Sequence, residues 1–150
     1  MRLLIQKVKN AKVLVSGLEI GKISKGLLIF QAVEDLDNNK DIDWLVNKII
    51  NLRIFNDSNG VMNLSVKDTD GDILVVSQFT LMASIKKGNR PSYKRASDQN
   101  YAKKMYEKFI KALSNSFEKK IECGIFKANM EVKLVNDGPI TIWIDSKNKE

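Results

Sequence analysis

Three residues with hydrogen-bonding side chains follow a strongly apolar stretch and are the first candidates for chemistry. Ser77, Gln78 and Thr80 come directly after the apolar run 73–76. Polar groups at the end of a core strand need hydrogen-bond partners, and a bound ligand is one way of supplying them. A cluster of hydroxyl and amide groups that bond to one another at the end of a sheet is the alternative interpretation.

The residue types that are missing narrow the chemistry. The sequence has no histidine and one cysteine, Cys123. These counts exclude Ser/His/Asp and Cys/His catalytic units, imidazole metal ligands and an intrachain disulfide. Cys123 would need another base to act as a nucleophile, so a structural free thiol is the preferred interpretation. We expect no metal and no other cofactor.

The carboxylate-rich segment 68–72 superficially resembles a calcium-binding loop. Such a loop needs Gly at its sixth position and Glu at its twelfth. Counted from Asp68, these positions hold Ile73 and Phe79. We therefore expect a hairpin turn at this segment.

A basic segment, residues 86–95, is the second candidate site. It carries five positive charges in ten residues, and an aromatic ring, Tyr93, lies among them. The charged residues are Lys86, Lys87, Arg90, Lys94 and Arg95. Such a loop can follow a phosphodiester backbone and stack on a base, and the net charge of +7 favours polyanionic partners. The segment predicts contact with nucleic acid; a solvated connection ahead of a helix is the alternative.

Short apolar runs broken by turn residues predict the strands that must position these groups. The clearest are residues 3–8, 12–15 and 26–30, and further strands are expected around 61–66 and from residue 73 onward. No apolar run approaches the roughly 20 residues needed to cross a bilayer, so we expect no membrane partner and a cytoplasmic location.

Helical spacing of apolar residues predicts two helices. The first is an amphipathic helix of about three turns over residues 42–50, capped by Asp41 or a neighbour. The second begins near Ser97 or Asp98 and runs to about Phe117.

The C-terminal part alternates between apolar and polar residues. Residues 132–134 and 140–144 predict two half-buried strands joined by a tight turn across 137–139, with a cis bond before Pro139 as a minority alternative. Strands in neighbouring runs with two main helices predict an α+β fold whose sheet is largely antiparallel and barrel-like. A chain of 150 residues is expected to form a single domain, residues 1–150.

Two motifs carry a resemblance to a known family. The segment Ser77-Gln78-Phe79-Thr80-Leu81 resembles the SQxT signature of the D-aminoacyl-tRNA deacylases, also called D-tyrosyl-tRNA deacylases, and residues 136–141 resemble their NxGP(V/I)T signature. The similarity extends over almost the whole chain. It implies hydrolysis of the ester that joins a D-amino acid, or glycine, to the terminal adenosine of tRNA. It also implies a β-barrel-like α+β domain that pairs as a two-fold homodimer.

The same resemblance implies roles for particular residues. Ser77, Gln78, Phe79 and Thr80 form one wall of the catalytic site. Gly138 and Pro139, joined by a cis bond and accompanied by Asn136, reach into the partner's pocket as a chirality gate that rejects L-aminoacyl esters. Phe126 and Met130 correspond to pocket-lining positions, with ordinary core packing as the alternative.

An aminoacyl ester is already activated, so its hydrolysis can proceed without histidine. Placement of a water and main-chain N–H groups near Phe79 and Thr80 could stabilise the oxyanion, and the 2′-hydroxyl of the terminal ribose assists in the mechanism proposed for the family. Thr80 is assigned to positioning rather than covalent attack, because no evident base activates its hydroxyl. A non-catalytic, dimeric tRNA-binding module is the alternative function.

Overall fold

The computed structural model describes residues 1–149, which form eight strands, two α-helices and a short 3₁₀ helix. The strands are β1 (Arg2–Val15), β2 (Leu18–Ile23), β3 (Gly26–Ala32), β4 (Phe55–Asn56), β5 (Met62–Leu64), β6 (Asp72–Ser77), β7 (Ile121–Cys123) and β8 (Glu131–Asp145). The helices are α1 (Asn39–Asn51) and α2 (Gln99–Ser116), and the 3₁₀ helix spans Phe79–Met82. The predicted α+β class with two main helices is confirmed.

Six of the strands form one sheet that nearly closes into a barrel. The order is β2-β1-β3-β6-β7, and β8 pairs with β1. Strand β1 is long enough to serve different neighbours along its length, because its first half pairs with β3 and its second half with β2. Strand β8 runs along both halves of β1, and β2 also lies against β6 and β7. The barrel-like arrangement agrees with the sequence prediction.

The prediction of a largely antiparallel sheet is wrong, because the sheet is mixed. Strand β6 runs parallel to β3, and β7 runs parallel to β6. Parallel neighbours need a crossover connection, and the two helices supply it: α1 lies between β3 and β6 in the chain, and α2 lies between β6 and β7. The pattern of apolar and polar residues in a strand does not show whether that strand runs parallel or antiparallel to its neighbour.

Two predicted turns also differ from the structure. Strand β8 is continuous, and it contains a bulge at residues 137–140. On either side of the bulge, Asn136 pairs with Val8 and Thr141 pairs with Gln6, so these four residues lie opposite Lys7 alone. The predicted tight turn between two strands is therefore wrong; both halves of β8 stay on the same neighbour. The segment 68–72 is a turn but no hairpin, because β5 pairs with β4 while β6 pairs with β3.

Local capping explains where the helices begin. The Asn38 side chain accepts a hydrogen bond from the amide of Lys40, and the Asp41 carboxylate accepts one from the amide of Asn38. Together they form a capping box for α1. The Asp98 side chain accepts from the amide of Tyr101 and caps α2. Both helices lie where apolar spacing predicted them.

The sheet separates two apolar clusters. Leu27 and Ile29 of β3 contribute to the cluster that includes the helices, whereas Leu28 faces a second cluster formed by β1, β2 and β6. Since both faces of these strands are covered, β3 and β6 read as continuous apolar runs instead of alternating ones. In residues 1–149, no helix is both long and apolar enough to span a membrane.

Candidate active site

The carboxyl ends of β3, β6 and β7 meet at a cleft of about 540 Å³. Because the three strands are parallel, segments far apart in the chain leave the sheet at the same edge. Residues that line the cleft include Gln31, Ser77, Gln78, Phe79, Phe126 and Met130. The structure therefore brings together most of the predicted catalytic wall and both predicted pocket-lining residues.

Main-chain donors lie beside the cleft where β6 ends and the 3₁₀ helix begins. The amide of Gln78 donates to the carbonyl oxygen of Gln31 at 2.7 Å, which ties the start of the 3₁₀ helix to β3. The first N–H groups of a helix have no partner within it. Accordingly, in residues 1–149 the amides of Phe79 and Thr80 donate to no protein acceptor. These two amides are available to a ligand.

The Thr80 hydroxyl is held by its neighbour rather than by a base. The side-chain nitrogen of Gln78 donates to Thr80 Oγ1 at 2.5 Å. Among the described residues that line the cleft, none is Asp, Glu or Cys, and the ionisable ones are Tyr93 and Lys127. The surroundings of Thr80 thus favour a positioning role over covalent attack.

An aromatic pair joins the cleft to the basic segment 86–95. The ring of Phe79 is 58% exposed. It contacts the ring of Tyr93 edge to face, with 5.1 Å between centroids. Tyr93 belongs to the basic segment and lines the cleft. The predicted nucleic-acid contact surface therefore borders the predicted catalytic wall.

The five basic residues of this segment differ in their surroundings. Arg95 forms an ion pair with Glu34 at 3.1 Å. The other four are exposed, and within residues 1–149 they form no ion pair: Lys86, Lys87, Arg90 and Lys94. These four charges are free to meet phosphates, whereas Arg95 is already engaged.

Phe126 and Met130 line the cleft while packing against different clusters. Phe126 lies against the cluster of the helices, with its ring 5.9 Å from that of Tyr106. Met130 packs against the second cluster, and a Cβ at Gly124 would stand 2.4 Å from its sulfur. Phe126 and Met130 therefore both line the cleft and pack against the core. Their role in substrate binding stays a prediction.

The bulge at residues 137–140, together with Asn136 just before it, lies outside the cleft of its own chain. The Gly138–Pro139 bond is cis, and both residues are exposed. With its amide nitrogen turned toward the strands, Asn136 donates to the main-chain oxygens of Lys7 and Ile140 at 3.2 Å each. The side chain of Lys7 pairs with Asp137 at 3.2 Å. Asn136 therefore braces the bulge, and one chain does not bring Gly138 and Pro139 to the catalytic wall.

Cys123 lies at the end of β7 but does not line the cleft. Burial, followed by the nearby Glu122 carboxylate, raises the pKa of its thiol. A raised pKa keeps the thiol protonated near neutral pH. This favours the structural interpretation of Cys123.

Sequence reasoning missed Gln31 and Ser97, which also line the cleft. Gln31 is 2% exposed and occupies a position on β3 whose neighbours on the same face, Ile29 and Val33, are apolar. A polar residue in an otherwise apolar run was the available signal. Ser97 gave no comparable signal, because a residue next to a helix cap is commonly polar.

Comparisons with known proteins agree with the motifs. The family described as D-Tyr-tRNA(Tyr) deacylase matches residues 4–145. The D-aminoacyl-tRNA deacylase of Flavobacterium johnsoniae is 58% identical over 150 residues, 100% of both chains. That of Thermosipho africanus is 54% identical over 147 residues, 98% of both chains.

Two solved structures share the fold. One, described as c-Myc DNA Unwinding Element Binding Protein, has a TM-score of 0.92 and 36% identity, covering 97% of this chain and 98% of its own. The other, described as a probable eukaryotic D-amino acid tRNA deacylase, has a TM-score of 0.80 and covers 95% of this chain and 97% of its own. At 16% identity, this second likeness concerns the fold alone.

The fold, the cleft and the full-length relatives define an enzyme of the class that hydrolyses the ester bond of aminoacyl-tRNA. Within that class, the chain belongs to the D-Tyr-tRNA(Tyr) deacylase family, whose curated relatives are D-aminoacyl-tRNA deacylases. The resemblance and the enzyme class predicted from the motifs are confirmed.

Proposed function

We propose that the cleft hydrolyses the ester of D-aminoacyl-tRNA, and of mischarged glycyl-tRNA, while L-aminoacyl esters are rejected. The observation that carries this proposal is the cleft at the ends of β3, β6 and β7, which is bordered by the start of the 3₁₀ helix, where the amides of Phe79 and Thr80 donate to no acceptor in residues 1–149. Membership of the family supports the choice of substrate. Charged tRNA as the substrate places the reaction in the cytoplasm.

The reaction uses water as the nucleophile. Water adds to the ester carbonyl carbon, and the amides of Phe79 and Thr80 donate to the developing oxyanion. The bond from the carbonyl carbon to the ribose oxygen then breaks. The electron pair and one proton, originally from water, end on that ribose oxygen, which releases the free amino acid and tRNA.

Proton movement is assigned to the RNA because the cleft lining offers no carboxylate or imidazole. The vicinal 2′-hydroxyl of the terminal ribose lies beside the ester and relays the proton from water to the leaving oxygen. A tRNA ending in 2′-deoxyadenosine should therefore be a poor substrate even when it binds normally. Unchanged turnover of that substrate would contradict this assignment.

Stereochemical selection is assigned to the bulge at residues 137–140 of a second copy in a homodimer. Gly138 and Pro139 are exposed and lie away from the cleft of their own chain, so they can serve a site only in another molecule. Main-chain atoms from the partner would contact the substrate's amino group and exclude an L side chain, whatever its chemistry.

The basic segment 86–95 is assigned to phosphate contacts of the tRNA. Replacing Arg90 and Lys94 with Gln should flatten the slope of log affinity against log salt by about 0.7–0.9 for each charge removed. The matched control is Lys103→Gln, an exposed lysine of α2 that pairs with Glu107 at 3.8 Å. An unchanged slope in the double variant would show that Arg90 and Lys94 do not contact phosphates of the tRNA.

The deciding experiment incubates the protein with D-Tyr-tRNA, L-Tyr-tRNA and Gly-tRNA and follows each ester. We expect loss of the D and glycyl esters and persistence of the L ester. Tight binding with all three esters intact would instead support the non-catalytic tRNA-binding module. Equal hydrolysis of D and L esters would contradict the gate.

A further inference from the structure

We propose that Gln31 reads the terminal adenine of the tRNA through its side-chain amide, an inference that rests on the proposed function. Three side-chain polar atoms in residues 1–149 are buried without a hydrogen-bond partner: Gln31 Nε2, Ser97 Oγ and Glu34 Oε1. Two of the three, on Gln31 and Ser97, belong to residues that line the cleft.

The fold places Gln31 firmly at the cleft wall. It stands opposite Ser77 in the register of β3 and β6, and its carbonyl oxygen accepts the Gln78 amide. Ser97 is held nearby, because its amide donates to the carbonyl oxygen of Val33 at 3.0 Å. The main chain on both sides is thus fixed, while the two side chains keep unpaired polar atoms.

The folded chain itself gives no reason for a glutamine at this position. Gln31 is 2% exposed, and its strand neighbours on the same face, Ile29 and Val33, pack into the cluster of the helices. A buried amide nitrogen without a partner destabilises a protein, whereas an apolar side chain of similar length would suit this cluster. A ligand that completes the hydrogen bond accounts for the polar residue.

The chemistry of the amide points to adenine. A glutamine amide offers a donor and an acceptor side by side, and an adenine edge offers a ring-nitrogen acceptor beside an amino donor. A ribose hydroxyl or an ester carbonyl has no such pair. Among the described residues that line the cleft, Lys127 is the only Lys, Arg, Asp or Glu, and the Phe126 ring lines the same space, which suits a flat neutral base. Ser97 Oγ can bond a further polar atom of the same base.

The test compares two uncharged tRNAs that differ only in the terminal base, one ending in adenosine and one in purine riboside, which lacks the 6-amino group. Wild type should bind the adenosine form about tenfold more tightly. Gln31→Met removes the amide at similar length, so it should bind both forms equally. Its Tm should rise by about 3 °C, because the unpaired amide is gone. Gln31→Leu is a second variant in case methionine packs poorly.

The outcomes separate this inference from the proposed function. Hydrolysis of the D ester by wild type tests the proposed function, whereas the ratio of the two Kd values tests Gln31 whether or not an ester is cleaved. A Gln31→Met protein that keeps the tenfold preference overturns the inference. The inference is also overturned if Gln31→Met leaves the Kd for uncharged tRNA constant and changes KM by an amount that depends on which amino acid the tRNA carries.

Discussion

The cleft and the bulge of β8 differ in which of their polar groups lack hydrogen-bond partners within the chain. Within residues 1–149, the amides of Phe79 and Thr80 at the border of the cleft and the side-chain nitrogen of Gln31 have no hydrogen-bond partner. In the bulge, Asn136 and Asp137 are engaged with β1, and the adjoining Gly138–Pro139 main chain is exposed. The cleft is therefore arranged to receive a ligand, and the bulge is arranged to hold a shape and present it outward.

A glycine of the parallel strand pair that supports the cleft and a glycine of the bulge also differ, in the space around them. A Cβ on Gly26, where β3 begins, would stand 1.9 Å from the carbonyl oxygen of Asp72 on β6. A Cβ on Gly138 would meet nothing closer than the Asn136 side-chain amide at 3.7 Å. Close backbone approach dictates glycine in the parallel pair that supports the cleft, whereas the bulge has room for a side chain within its own chain.

The largest effect is expected for Gly26→Ala. The methyl group meets main-chain atoms of β6, which cannot rotate away, so the two strands must separate. We expect a loss of about 3 kcal/mol in the free energy of unfolding, measured by urea denaturation. A loss below about 1 kcal/mol would show that the parallel pair adapts easily and that the cleft does not depend on this close approach.

Gly138→Ala should give the reverse pattern. The methyl group has space in its own chain, so the Tm should change little, but in the proposed homodimer it would intrude into the site of the partner. We expect kcat/KM for D-Tyr-tRNA to fall about 100-fold, the usual consequence of displacing a substrate by about 1 Å. Unchanged kinetics in a folded dimer would remove the bulge from the active site.

Thr80→Val tests whether the cleft acts by positioning or by covalent attack. Valine keeps the shape of threonine and removes the hydroxyl that accepts from Gln78. Loss of one ordinary hydrogen bond should lower kcat/KM about tenfold. A decrease on the order of 10⁴ or more would indicate a nucleophile. Thr80→Ser, which restores a hydroxyl, is the matched control.

The smallest effect is expected at Cys123. Because burial raises the pKa of its thiol, the reactive thiolate is scarcer at pH 8 than in a free cysteine. Alkylation by iodoacetamide should therefore be slower than that of glutathione at the same pH. Cys123→Ser should change kcat/KM less than twofold. Rapid alkylation with parallel loss of activity would place the thiol in the mechanism after all.

Local features of the chain were predictable and long-range ones were not. The spacing of Ile42, Leu45 and Ile49 and the caps at Asn38 and Asp98 lie within a few residues of the helices that they specify. The direction of β6 relative to β3 depends on residues more than 40 positions apart. An apolar run shows that a strand is buried on both faces but not which strand lies beside it.

The candidate site divides in the same way. The polar residues of Ser77–Thr80 after an apolar strand marked a candidate site, and the absence of histidine excluded imidazole catalysis. The assignment of this segment to a catalytic wall, with an activated ester as substrate, came from the resemblance to the family. Gln31 could have been noticed as a polar residue in the apolar run of β3, but whether its side-chain nitrogen has a hydrogen-bond partner depends on what the rest of the chain places around it.

The sequence by itself determined the two helices, the apolar strands and the family motifs, because each depends on residues close together in the chain. Its lack of histidine also determined that the reaction uses no imidazole. Only the tertiary structure decided that three parallel strands end at one cleft, and that β8 continues through its bulge instead of turning back. The physical reason is that strand pairing and direction arise from contacts between distant segments, which no local pattern encodes.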